Sequence, residues 1–168
     1  SAGNPDARTA AAQADGDPIS LAGSEYLEMF HGLVAGAPSV DLTLEAKVQR
    51  ACLRAIRAGI IQSAHDCSDG GLAVTLVESS VAGKIGFTAD FQISGRGDAA
   101  LFGERQSRIV VSVSPDRLKD FEAIALEENV PWMRLGVTGE KFLLPEMEEM
   151  TVHELADALS HGLQEGAA

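Results

Sequence analysis

The sequence contains few cysteines, and their spacing suggests neither a disulfide nor a metal site. Cys52 and Cys67 are the two cysteines among 168 residues, with no CxxC spacing and no Cys/His cluster around them. This pattern argues against a disulfide framework and against structural zinc. We therefore expect both thiols to be free.

Basic residues are also scarce. Lys and Arg number 13 against 25 Asp and Glu, which gives a formal net charge of −12. A surface that binds nucleic acid needs clustered Lys and Arg to neutralise phosphates, and the sequence has no such cluster. The same charge disfavours an anionic membrane surface, so we expect neither nucleic acid nor membrane as a partner.

Long apolar runs are missing as well. No run approaches the roughly 20 residues that cross a bilayer, and the first residues have neither the basic start nor the apolar core of a signal peptide. We therefore expect a cytoplasmic protein. Residues 1–16 are small and polar and predict a flexible lead-in or linker remnant, whereas residues 17–168 predict a single domain.

The most informative stretch is a predicted strand, acidic turn and helix at residues 60–83. A short apolar run, 60–64, leads into the turn, and apolar residues then recur at helical spacing from Leu72. Gly70 and Gly71 would let a ligand or another backbone come close. Ser68 or Asp69 could cap the helix, whose free N–H groups and dipole favour an anion.

Two carboxylates, Asp66 and Asp69, bring negative charge to the same turn. Carboxylates beside an anion site are explained if Mg²⁺ bridges them to a phosphate. The pattern predicts a nucleotide site with Asp66 and Asp69 as metal ligands and with Ser68, Asp69, Gly70 and Gly71 around the phosphate. A purely structural Asp-Gly-Gly turn is the alternative.

Two other polar stretches accompany the turn. In AGSEYL, Ser24 can cap a helix, which explains the stretch as well as an anion site does. In LFGERQSR, Glu104, Gln106 and Arg108 precede a buried strand at 109–113, where they could bind a ligand. An ion pair between Arg108 and Glu104 is the alternative.

The rest of the chain predicts alternating helices and strands. Helices are expected from Asp41 or Thr43 to about residue 59, after Pro115, and after a capping box at Thr151 and Glu154. Strands are expected at 85–91 and 131–137, with 141–144 as hairpin partner of the latter.

Taken together and in order, AGSEYL, AHDCSDGGLAVTLVESSVAG and LFGERQSRIVVSV resemble the last domain of the phosphoribosylformylglycinamidine synthase family. The resemblance runs from about residue 17 to the end of the final helix. It implies an α/β (α+β) fold, a three-layer α/β/α domain with a mixed, largely antiparallel sheet, like the C-terminal domain of aminoimidazole ribonucleotide synthase. It also implies that the chain is a fragment of a longer protein.

The resemblance further implies an ATP- and Mg²⁺-dependent ligase of purine biosynthesis. The whole enzyme would convert formylglycinamide ribonucleotide to formylglycinamidine ribonucleotide with glutamine-derived ammonia. The resemblance implies the remaining domains of the synthase and a glutaminase component as partners. A small accessory subunit is also compatible with the resemblance. The family's catalytic histidine lies in parts absent here, so no catalytic residue is predicted and the isolated chain should be inactive.

By the same resemblance, Asp66 matches a metal-binding aspartate, and Glu104 and Gln106 match a substrate-binding segment. In long forms of the enzyme, Asp66, Ser68 and Asp69 would instead contribute to a site for structural ATP or ADP. Arg105 is an insertion relative to the catalytic half of the family, and the Asp-Gly-Gly triplet also differs from it. Two alternatives remain open: a non-catalytic nucleotide-binding or structural module, and a phosphotransferase related to thiamine monophosphate kinase.

Overall fold

A computed structural model describes residues 8–11, 20–93 and 95–165 of the chain. The strands in this part are β1 (Arg8–Ala11), β2 (Ile61–Asp66), β3 (Gly86–Ala89), β4 (Ile109–Val113), β5 (Met133–Gly139), β6 (Lys141–Phe142) and β7 (Met150–Thr151). The helices are α1 (Glu25–His31), α2 (Leu42–Arg57), α3 (Gly71–Gly83), α4 (Gly97–Phe102), α5 (Leu118–Glu127) and α6 (Val152–Glu165). A short 3₁₀ helix, Pro115–Arg117, precedes α5.

The main sheet has the strand order β2-β4-β1-β5-β3, and each neighbouring pair is antiparallel. β1 lies at its centre, between β4 and β5. The expected fold class, helices around a largely antiparallel sheet, is confirmed. Four residues of the predicted lead-in belong to this sheet, and the domain boundary after residue 16 stays a prediction.

Helices cover both faces of the sheet, as alternate side chains of β4 show. Val110 packs in one cluster with buried leucines of α3 and α6. Val111 and Val113 pack in a second cluster with Ala55 of α2 and with side chains of α5. Because successive residues of a strand face opposite sides, these clusters define three layers: α2 and α5, the sheet, and α3 with α6.

The predicted helix starts are confirmed where a side chain makes the cap. The Ser24 hydroxyl accepts from the Leu27 amide at 3.3 Å at the start of α1. The Asp41 carboxylate accepts from the first-turn amides of α2 at 2.8 and 3.1 Å. At α6, the Thr151 amide donates to Glu154 at 2.7 Å while the Thr151 hydroxyl accepts from the Glu154 amide at 3.2 Å.

The prediction that 141–144 forms a hairpin with β5 is wrong. β6 pairs with β7 instead, and Leu143 exchanges backbone hydrogen bonds with Phe87 and Ala89 at 2.7 and 2.9 Å, beside β3. Both sides of β5 are already occupied, by β1 and β3. The segment therefore turns away, which buries Phe142 and Leu144 in the core.

Candidate functional site

The central turn connects the end of β2 at Asp66 to the start of α3 at Gly71. Cys67 is buried, and its amide donates to the Arg108 carbonyl at 3.0 Å, which fixes the turn to the start of β4. Asp66, Ser68 and Asp69 are exposed, and the Asp66 side chain retains 76% of its accessible surface. The side chains expected to meet a metal or a phosphate are thus accessible from solvent.

The two glycines of this turn have positive φ angles, +76° at Gly70 and +65° at Gly71. A Cβ atom on Gly71 would lie 2.7 Å from the Gly103 carbonyl oxygen and 2.8 Å from the Phe102 carbonyl carbon. Since β-carbons do not approach backbone this closely, only glycine fits. The sequence left open whether a ligand or another backbone comes close to Gly71, and in the structure it is the backbone of Phe102 and Gly103.

The expected cap by Ser68 or Asp69 is absent. Gly70 is the N-cap residue of α3 and makes no side-chain cap bond. The Ser68 carbonyl, not its hydroxyl, accepts from the Gly71 amide at 3.0 Å. A carboxylate from elsewhere in the chain instead accepts from the amide of Gly70 itself, which precedes the first-turn amides that a capping side chain would serve.

That carboxylate belongs to Glu104. Its Oε1 atom accepts from the Gly70 amide at 2.8 Å and from the Glu25 amide, at the start of α1, at 2.9 Å. A negative charge at two helix N-termini is favourable because the peptide dipoles leave partial positive charge there. One oxygen therefore joins the three polar stretches that the sequence analysis singled out separately.

Arg108 supports the segment that carries Glu104. Arg108 is buried, 7% exposed, and its guanidinium donates to the carbonyls of Gly103 and Arg105. The alternative ion pair between Arg108 and Glu104 is therefore wrong, because Arg108 uses the backbone of the loop instead. Burial lowers the pKa of this guanidinium below its usual value.

Gln106 lies apart from the central turn. It is exposed and borders a cavity of about 190 Å³ that Asp41, Leu44 and Ser107 also line. Glu104 borders a separate cavity of about 210 Å³ beside Ala22 and Pro38. The structure thus brings Glu104 to the turn and places Gln106 at a neighbouring depression.

Thr75 and Glu78 are two residues at this site that sequence reasoning missed. The buried Thr75 hydroxyl donates to the carbonyl of Gly71 at 2.8 Å and reaches that of Asp66 at 3.3 Å. A hydroxyl four residues after a helix start is a recognisable signal for such a bond. Glu78 lies 3.3 Å from His65 Nε2, one helical turn further on. The Thr75–Asp66 bond ties the start of the turn to α3, and the Glu78–His65 contact ties strand β2 to the same helix.

Metal ligation at the turn remains a prediction. The described residues contain no group of three or more His, Cys, Asp and Glu side chains that could hold a metal ion. Two accessible carboxylates, Asp66 and Asp69, nonetheless fit the way Mg²⁺ is bound through one or two carboxylates plus phosphates and water. Cys67 is free, and burial raises the pKa of its thiol, which argues against a role as a nucleophile.

The family model for the C-terminal domain of AIR synthase related proteins matches residues 15–143. The chain belongs to this family. The C-terminal domain so defined contains the central turn, α1 and the Glu104 segment, and therefore the whole of the candidate site.

Two relatives with similar sequences are both phosphoribosylformylglycinamidine synthase subunits. The chain is 43% identical over 154 residues to the phosphoribosylformylglycinamidine synthase subunit PurL of Thermomicrobium roseum, covering 88% of this chain and 21% of the relative. It is 50% identical over 129 residues to PurL of Thermosynechococcus vestitus, covering 73% and 17% respectively. The chain therefore spans about a fifth of the length of these relatives.

Solved structures share the fold. PurL of Thermotoga maritima complexed with FGAR superposes with a TM-score of 0.69 at 19% identity, covering 90% of this chain and 28% of that one. In the part of the chain that the structure describes, no helix is long and apolar enough to cross a membrane.

Proposed function

We propose that this chain is the C-terminal domain of the synthetase subunit of phosphoribosylformylglycinamidine synthase. In the intact protein it would take part in the ATP-dependent conversion of formylglycinamide ribonucleotide to formylglycinamidine ribonucleotide, with glutamine as the amide donor. The proposal is supported by the similarity to PurL subunits at 43% and 50% identity and by the shared fold of Thermotoga maritima PurL, which has been solved in complex with ATP, ADP and FGAR.

The observation that carries the proposal is the position of Glu104. By accepting from the amides of Gly70 and Glu25, at 2.8 and 2.9 Å, it fixes the acidic turn beside the start of α1. The exposed carboxylates of Asp66 and Asp69 are then held on a rigid support. Rigid placement of ligands is what a Mg²⁺–nucleotide site requires.

Each residue has a defined role in this proposal. Asp66 and Asp69 would hold Mg²⁺, and Ser68 and the backbone of Gly70 would lie near the phosphates. Mg²⁺ would supply charge neutralisation of the nucleotide phosphates. Glu104 acts as a positioning residue, because its oxygen is already engaged by two amides. Gln106 and Gly71 remain proposed binding residues, although neither lies at an open part of the turn.

Activity would belong to the whole protein. This chain covers 21% of a relative's length, so we expect it to be inactive alone and to work with the remaining synthase domains in the cytoplasm. A glutaminase component would supply ammonia. A small accessory subunit is a further proposed partner, supported by the multi-component PurLQS structure from Thermotoga maritima.

A structural role for the turn is the second candidate. The close packing of Gly71 on the backbone of Phe102 and Gly103, and the use of Glu104 as an amide acceptor, both account for the motif without a ligand. On this alternative the domain is a non-catalytic module that supports the rest of the synthase.

Calorimetric titration with ADP and ATP, with and without Mg²⁺, separates these candidates. The matched variants are the double change Asp66→Ala, Asp69→Ala and, as control, the double change Glu140→Ala, Glu148→Ala, which removes two exposed charges elsewhere. Mg²⁺-dependent binding that only the first pair abolishes supports the nucleotide site. Equal binding by both double variants would contradict it.

A chimera tests the ligase assignment. This chain would replace the corresponding domain of the Thermomicrobium roseum relative, and formation of formylglycinamidine ribonucleotide would be measured. We expect the chimera to be active and an otherwise identical protein that lacks the domain to be inactive. A folded chimera without activity would count against the assignment.

A further inference from the structure

An apolar strap, defined here as residues 29–42, lies exposed beside the candidate site. Every residue from Glu28 to Thr43 is exposed. The exposed fractions of its apolar side chains are large: Met29 76%, Phe30 67%, Leu33 53%, Val34 80%, Val40 50% and Leu42 74%. Soluble domains seldom leave such a concentration of large apolar side chains uncovered, and where they do it marks an interaction surface.

Backbone bonds hold the strap in a defined shape. The Gly32 amide donates to the Glu28 carbonyl at 2.8 Å, and the Gly23 amide donates to the Ala35 carbonyl at 2.9 Å. At Gly36, φ is +92°, and an added Cβ would lie 2.4 Å from the Cβ of Ala22. The strap is therefore a preformed surface, and a partner would not need to order it.

The strap is continuous with the candidate site. Tyr26 stacks on Phe102 with ring centroids 4.9 Å apart and contacts Phe30 at 4.6 Å. Phe102 closes α4, directly before the loop that carries Glu104, and Glu104 in turn holds the Glu25 amide. A partner seated on the strap would thus also stand beside the acidic turn.

We propose that the strap is the docking surface for another domain of the same synthetase polypeptide, with an apolar contact face bordered by basic side chains. This inference rests on the proposed function. The chain covers 21% of the length of the Thermomicrobium roseum relative, so most of such a polypeptide lies outside it. Glu25 and Glu28 border the α1 end of the strap with negative charge, which favours a basic border on the partner there, whereas Arg105 lines the cavities beside Pro38 and Val40 at the other end.

A second copy of this chain fits the strap less well. Each copy carries a net charge of −12, so two copies would bring like charge together around an apolar contact. A neighbouring domain has no such constraint. It would also close the open side of the acidic turn, in keeping with the general occurrence of ligand sites at domain interfaces.

Hydroxyl-radical footprinting tests the docking. Met29 oxidation would be compared between the isolated chain and the chimera with the Thermomicrobium roseum synthetase, with Met147, 42% exposed and outside the strap, as internal reference. We expect Met29 to be oxidised at least tenfold more slowly in the chimera, relative to Met147. Equal relative rates in the two proteins would overturn the proposal.

Two variants sharpen this test. Val34→Glu in the chimera should restore Met29 oxidation, whereas Leu126→Glu, at an 82% exposed leucine on α5, should not. If Leu126→Glu restored it equally, the protection would not come from the strap. Sedimentation of the isolated chain adds a further arm: a dimer that Val34→Glu dissociates would show that a second copy is the occupant and would overturn the proposal.

A measurement on the isolated chain covers the case in which the chimera misfolds. Binding of an apolar fluorescent dye should fall severalfold on Val34→Glu and remain unchanged on Leu126→Glu. Unchanged dye binding in both variants would overturn the proposal. Activity separates the two hypotheses. A protected Met29 in an inactive chimera would leave docking intact and refute the ligase assignment. An exposed Met29 in an active chimera would refute docking and leave the ligase assignment intact.

Discussion

The acidic turn and the apolar strap are neighbours with opposite relations to the rest of the domain. The backbone of the turn is satisfied from within the chain, by Glu104, Thr75 and the Arg108 carbonyl. The strap has an equally defined backbone, yet its largest side chains remain exposed. The contrast is between a turn whose backbone groups find partners within the domain and a neighbouring surface whose apolar side chains do not.

Gly71→Ala should have the largest effect on the turn. The positive φ costs about 1–2 kcal/mol, and the forced contact with Gly103 adds a similar amount, so we expect a loss of about 3 kcal/mol in the free energy of unfolding. Gly59→Ala is the matched control, because Gly59 has the same φ of +65° with nothing within 4 Å of an added Cβ. Urea denaturation measures both, and equal losses would contradict the tight packing of the turn.

Glu104→Ala should have the next largest effect, since it removes the link between the turn and α1. Two amides would lose a charged acceptor, and we expect a loss of roughly 2 kcal/mol in the free energy of unfolding for both together, because water can replace the acceptor at the exposed Glu25 amide. Hydrogen exchange should accelerate at the Gly70 and Glu25 amides. Glu104→Gln retains an oxygen acceptor, so its effects should be smaller; if Gln behaved like Ala, the carboxylate charge rather than the geometry would be decisive.

Ion pairs join α2, the helix after the strap, to the C-terminal end of α5. We expect their loss to lower the free energy of unfolding by less than the two preceding variants do, and in a pH-dependent way. Arg54 and Arg50 hydrogen-bond Glu128 at 2.6 and 3.1 Å and hold its pKa below the ordinary value of 4.5. Because the folded-state pKa is the lower one, the stabilisation is present above pH 4.5 and is lost as the pH falls through the folded-state value. Glu128→Gln should flatten the acid limb of a stability–pH profile, and an unchanged limb would contradict this.

Val34→Thr should have the smallest effect on stability. At 80% exposure the methyl-to-hydroxyl exchange removes no packing, so we expect a change below about 0.5 kcal/mol. Val113→Thr, at 1% exposure, buries the same hydroxyl in the sheet and should cost clearly more. Thermal unfolding compares them, and a similar loss at both positions would show that the strap is packed within the isolated domain.

Much of the fold follows from local signals. Strand β4 has the predicted limits, 109–113, and the caps at Ser24, Asp41 and Thr151 are where the sequence places them. These features depend on residues within about four positions of one another. The failed hairpin at 141–144 depended on something non-local, namely that β5 already had two neighbours.

The features of the candidate site also divide into those set by local sequence and those set by contacts between distant parts of the chain. The sequence by itself determined that Asp66, Asp69 and two glycines occupy one turn before a helix, since strand, turn and helix propensities act over a few residues. Only the tertiary structure decided that Glu104 serves both the Gly70 amide, 34 residues away, and the Glu25 amide, 79 residues away. It also decided which apolar side chains stay exposed at the strap. Hydrogen bonding and burial at such separations depend on how the layers pack, and no local pattern encodes that.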